Sequence, residues 1–141
     1  MSITFSNIDT DVKLTNEALI VDWILKIIAN HGYTVGKINY MFCSDEYIHE
    51  NNVRYLNHDT YTDIITFDYT VGKIISGDIL ISIERVGENA GLFGQDYEDE
   101  LHRVIIHGVL HLLGFKDKSD DDAVMMREKE RDALLLLGTM N

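Results

Sequence analysis

His107 and His111 stand four residues apart, Gly114 follows, and Asp117 comes three residues after the glycine. On an α-helix, at roughly 100° per residue, a spacing of four puts both imidazoles on one face, one turn apart. From there both rings reach a single metal ion, as in His-x-x-x-His zinc helices. Gly114 suits a helix C-terminal turn, where glycine enters the left-handed region at little cost. The chain can then fold back and bring Asp117 to the same ion, and a carboxylate oxygen is an acceptable zinc ligand. Three protein ligands leave a fourth position for water, the layout of a catalytic site rather than a structural one. Two histidines alone at this spacing are commonly just satisfied side chains on a half-buried helix. The breaker glycine and the carboxylate after it make the pattern specific.

The ligand helix is expected over about Glu98 to Leu113, inside a larger order of elements. Ile3, Phe5 and Ile8 suggest a first strand. Thr15 can cap a helix in which Val21, Ile24, Leu25 and Ile28 recur at helical spacing, and Gly32 stops it. Ile38, Tyr40 and Phe42 alternate with Lys37, Asn39 and Met41 as a second strand. Ser44 and Asp45 can start a helix running to about Tyr55. Asn57 to Thr62 is a polar loop. Asp63 to Tyr69 and Asp78 to Ile83 read as strands, with a turn at Val71-Gly72-Lys73. Glu84 to Leu92 and Asp120 to Leu137 read as helices. This order implies an α+β fold, a small four-stranded mixed sheet packed with helices, with the metal-binding helix near the C-terminus.

Composition narrows the field. The chain has 141 residues, 45% of them hydrophobic, and no proline. One domain, residues 1–141, is expected, with no repeat or linker. No apolar run is long enough to span a bilayer, and the first residues lack a signal-peptide pattern. A single cysteine, Cys43, excludes an internal disulfide and favours a reducing, cytoplasmic location. Cys43 ends a strand and is expected to be a small buried or half-buried side chain rather than a nucleophile. The net charge of −12 excludes binding nucleic acid through bulk positive charge, so any RNA role needs a local basic patch or a partner.

The stretch His107-Gly-Val-Leu-His111-Leu-Leu-Gly114-Phe resembles the signature of the YbeY family. Thr62-Asp-Ile-Ile-Thr-Phe67, Gly77-Asp-Ile-Leu80 and Glu100-Leu101 are similar to further family segments. The resemblance implies a zinc-binding endoribonuclease, with one ion per chain, specific for single-stranded RNA. It also implies action in 16S rRNA 3′-end maturation and ribosome quality control, with a ribosome or ribosomal protein as partner. The chain departs from the family in two places. Asp117 stands where the family usually has a third histidine. Leu56 stands where the family has an arginine, and Arg54 would point to another side of its helix. Arg103, Lys116 and Lys118 are the candidates to supply positive charge beside the metal, and each could equally be an ordinary surface charge.

The remaining candidates are weaker. His58 could line a cleft from the polar loop, while His102 lies about 140° from the ligand face at helical spacing. Ser119 is expected to cap the last helix, with Asp120, Asp121 and Asp122 complementing its dipole. Met125 and Met126 are expected in the core. Metzincin peptidases share the ligand spacing, but their general base, a glutamate, is Gly108 here. A metallopeptidase, or a non-enzymatic assembly factor with a structural metal, is the alternative reading.

Overall fold

A computed structural model describes residues 2–56 and 62–140. Nine elements run in the order β1 (Ser2–Asn7), α1 (Glu17–Asn30), β2 (Thr34–Cys43), α2 (Asp45–Leu56), β3 (Ile64–Asp68), β4 (Ile74–Ser82), α3 (Ile83–Phe93), α4 (Tyr97–Leu112) and α5 (Asp120–Gly138). The strands form one sheet in the order β1-β2-β4-β3. β1, β2 and β4 run parallel, and β3 pairs antiparallel with β4 as an edge strand. The α+β fold with a four-stranded mixed sheet is therefore present.

The alternation in β2 places Ile38, Tyr40 and Phe42 on one face with Ile75, Ile79 and Ile81 of β4. That face packs on α1, α4 and α5 and forms the main core. The opposite face carries a smaller cluster of Cys43, Ile65 and Leu80, covered by Ile48 of α2. Two buried polar tips tie the layers together. The Trp23 indole N–H donates to the Ala133 carbonyl at 2.8 Å, and the Tyr40 hydroxyl donates to the Ile105 carbonyl at 2.8 Å.

α4 lies unusually close to the sheet. A Cβ on Gly108 would stand 2.9 Å from Ile79 Cδ1 and 3.2 Å from Ile64 Cδ1, so a larger residue here would push the ligand helix off the strands. The position that carries the catalytic glutamate in metzincins is thus filled by the sheet. α2 reaches the mouth of the same region and is fixed at its start, where Arg85 of α3 donates to Asp45 at 2.7 Å.

Several local expectations shift. The first helix starts at Glu17 with Asn16 as its N-cap residue, in the left-handed region at φ 60°, and no side chain caps it; Thr15 sits in the preceding turn. Asparagine tolerates that conformation where a β-branched threonine does not. β4 begins at Ile74, four residues earlier than expected, because Val71-Gly72-Lys73 is a tight turn closed by Val71 and Ile74. Ile83 opens α3, where the Ser82 hydroxyl accepts from the Arg85 N–H. Met126 is buried, but Met125 is 45% exposed, since adjacent helical residues lie about 100° apart. Cys43 is buried, and burial pushes its thiol up to about 12. His58 and the expected loop Asn57 to Thr62, apart from Thr62, lie outside the described residues.

Candidate metal centre

The ligand helix ends as Gly114 requires. The Phe115 N–H bonds back to the Leu110 carbonyl and the Gly114 N–H to the His111 carbonyl, both at 3.0 Å, with Gly114 at φ 101°. This pairing is a Schellman turn. It reverses the chain so that Asp117 returns over the helix face carrying the histidines. Ser119 then caps α5 by accepting from the Asp122 N–H at 3.1 Å.

Three atoms converge at this turn. His107 Nε2 and His111 Nε2 are 3.0 Å apart, and Asp117 Oδ2 lies 3.3 Å from the first and 3.4 Å from the second. A tetrahedral ion with bonds of ~2.0–2.1 Å holds neighbouring ligand atoms about 3.3 Å apart. The spacing therefore fits such an ion. So does the chemistry: His107 Nδ1 lies 2.5 Å from Glu130 Oε2, a contact that leaves Nε2 as the nitrogen turned toward His111 and Asp117. Burial, reinforced by the neighbouring His107, holds His111 below the usual imidazole range despite the opposing pull of Asp117. The neutral ring is the form that ligates. His107, His111 and Asp117 form a group that can hold a metal ion.

Beneath His107 lies a set of charges that sequence reading missed. Glu130 is 4% exposed and Glu100 is 2% exposed. Arg103 joins them: its Nε and Nη2 donate to Glu100 at 2.9 and 2.8 Å, and its Nη1 lies 3.2 Å from both Glu130 oxygens. Its Nη2 also stands 3.7 Å from Asp63 Oδ2. The Glu100 hydrogen bonds, with both buried carboxylates, raise the guanidinium pKa further. A sequence signal for Glu130 does exist. It falls in register with Met126, Ala133 and Leu137, the buried stripe of α5, where an acid is out of place unless paired.

The centre opens onto a cleft of about 730 Å³ lined by α4, α2, β3 and the turn after Gly114. Leu56 and Asn52 reach it from α2, and Ile64, Thr66 and Asp68 from β3. Among the described residues its charged lining is Asp63, Asp68, Asp117, Arg103 and Lys118. That is not the basic rim expected from Arg103, Lys116 and Lys118. Arg103 is committed to carboxylates, Lys116 is exposed outside the lining, and Lys118 alone offers an exposed cation that pairs with no described residue. Arg54, too, lies outside the lining, so Leu56 presents an apolar side chain there with no arginine in its place. His102 is on another side of α4, edge-on to Trp23 at 6.2 Å, and burial lowers its pKa.

Comparison with known proteins agrees with this geometry. A profile described as Endoribonuclease YbeY matches residues 3–138. A Flavobacterium johnsoniae protein named Endoribonuclease YbeY is 53% identical over 130 residues, covering 92% of this chain and 94% of its own. One of the same name from Parabacteroides distasonis is 47% identical over 137 residues, covering 97% and 96%. A solution structure from Thermotoga maritima superposes with a TM-score of 0.67 at 26% identity, over 96% of this chain and 89% of that one. Since the match runs through the ligand helix and nearly the whole length of the chain, the chain belongs to the endoribonuclease YbeY family, enzymes that cut phosphodiester bonds within RNA.

Proposed function

We propose that the chain is a zinc-dependent, single-strand-specific endoribonuclease of the cytoplasm. Its work is 16S rRNA 3′-end maturation and ribosome quality control, with the ribosome or a ribosomal protein as partner. The observation that carries this reading is the convergence of three lone-pair atoms, 3.0 to 3.4 Å apart, at the wall of an open cleft. His107, His111 and Asp117 would hold one zinc ion. When bound, zinc supplies an activated water and stabilises charge developing on the phosphoryl oxygens.

The chain's own groups bind and orient. Lys118 contacts a phosphate of the strand as a point charge. Leu56 offers an apolar surface to a base. Asp63, at the cleft mouth, stays anchored by Arg103 and so does not swing toward the substrate phosphates. Among the described residues the lining carries more carboxylates than free cations, so a cation held by His107, His111 and Asp117 would favour the approach of RNA. Gly108 faces the sheet and brings no carboxylate to the ligands, which removes support for a peptidase mechanism. No described helix is long and apolar enough to cross a membrane.

The test compares a single-stranded oligoribonucleotide with its duplex, with and without Zn²⁺, for wild type and His111→Ala. The expected result is cleavage of the single strand alone, dependent on Zn²⁺ and lost in the variant. Equal cutting of both forms, or cutting by the variant, overturns the reading.

A further inference from the structure

The Glu130 carboxylate does not line the cleft at the metal centre and has no place in the reaction proposed above, yet it contacts a metal ligand directly. Two contacts define it. Its Oε2 lies 2.5 Å from His107 Nδ1, and Arg103 Nη1 stands 3.2 Å from each of its oxygens. Its side chain is only 6% exposed, so water does not readily replace it as a partner of either group.

A neutral imidazole carries its one proton on either nitrogen, and only the bare nitrogen can ligate. We propose that Glu130 is a positioning residue of the metal centre. By accepting the Nδ1 proton of His107 it fixes the one tautomer whose Nε2 lone pair faces His111 and Asp117. Arg103, itself gripped by Glu100, fixes the carboxylate. The proposal rests on the metal reading given above and extends it to α5, an element that supplies no ligand. It also gives Arg103 a place: it holds Glu130 and leaves phosphate contact to others. Carboxylate–histidine–metal arrangements of this kind orient the ring and raise its basicity.

Glu130→Gln is the informative change, because it keeps shape while removing the charge and turning one acceptor oxygen into a donor. Arg103 faces both oxygens. Whichever one becomes the amide NH₂ therefore meets either the guanidinium donor or the His107 Nδ1 proton. The variant thus strains the Arg103 contact or inverts the tautomer.

Two measurements test this. In ¹⁵N-labelled, metal-free wild type at mildly alkaline pH, two-bond ¹H–¹⁵N correlations of the imidazoles should show His107 protonated at Nδ1 and bare at Nε2. Competition with a chromophoric chelator should show that Glu130→Gln binds Zn²⁺ about 10–100-fold more weakly, at unchanged circular dichroism. A bare Nδ1 on wild-type His107 overturns the proposal. So does a folded variant whose Zn²⁺ affinity stays within about twofold of wild type. If the variant does not fold, the wild-type tautomer decides alone. Failure of the metal reading looks different: wild type then takes up no Zn²⁺ even with Nε2 of His107 bare.

Discussion

Behind the ligand helix, His107 leans on Glu130 and Glu130 on Arg103, which Glu100 grips in turn; the two carboxylates are buried, while the guanidinium reaches the cleft wall. In front, the same helix faces an open cleft, with the Asp117 side chain 40% exposed and Lys118 on a solvated turn. His107 and His111 record the difference, at 14% and 29% side-chain exposure. The back is a set of charges centred on two buried carboxylates, whose geometry packing dictates. The front is a surface that can adapt to a flexible strand. One helix therefore serves precision on one side and access on the other. Damage behind should appear as lost stability and metal affinity, and damage in front as lost substrate binding.

The strongest break should come at the seam. His111→Ala removes a ligand, so RNA cleavage and stoichiometric Zn²⁺ uptake should both fall to background, while circular dichroism of the metal-free protein stays native. Next is Arg103→Met, at the back. It leaves Glu100 and Glu130 buried without their cation. Urea denaturation should show a loss near the lower end of roughly 3–5 kcal/mol, because the guanidinium is itself 30% exposed. A variant as stable as wild type would mean that the back is not the rigid side.

Acid should separate the sides further. Burial holds His111 and His102 below their ordinary value of 6.5, so the folded state binds fewer protons than the unfolded chain in this range. Their contribution is intact above that value and is lost as pH falls through the folded pKa. Metal-free wild type should thus lose more melting temperature between about pH 7 and 5 than metal-free His111→Ala does. Equal losses would place the sensitivity elsewhere. The smallest effect belongs to the front. Lys118→Ala should raise KM for single-stranded RNA a few-fold with little change in kcat. It should also flatten the salt dependence of binding by about one unit of slope, at unchanged melting temperature.

The parts that were legible in the sequence are those governed by local rules. Period and caps found the ligand helix, the Gly114 turn and the Ser119 cap within a residue or two. The three converging atoms lie within one short stretch, so spacing alone could place them. The back of the centre was not legible, because Glu130 meets His107 only after α5 docks on α4. Arg103 misled for the same reason. Its position near the ligands was readable, as was Glu100 three residues before it, but Glu130 of α5 and Asp63 just before β3 meet it only in the folded chain. The exposure of Met125 and the left-handed Asn16 are smaller cases in which adjacent residues had to be told apart.

The closeness of His107, His111 and Asp117 along the chain has a consequence for how the protein acquires its ion. Bringing such near neighbours together closes only a short loop, so even a nascent or denatured chain can grip the metal loosely. A ligand that also binds the unfolded chain shifts the folding equilibrium by less than its native affinity would give. Saturating Zn²⁺ should therefore raise the melting temperature by less than the measured affinity implies. Loading could begin during synthesis, before α5 has left the ribosome, with the docking of α5 then converting a loose complex into a tight one.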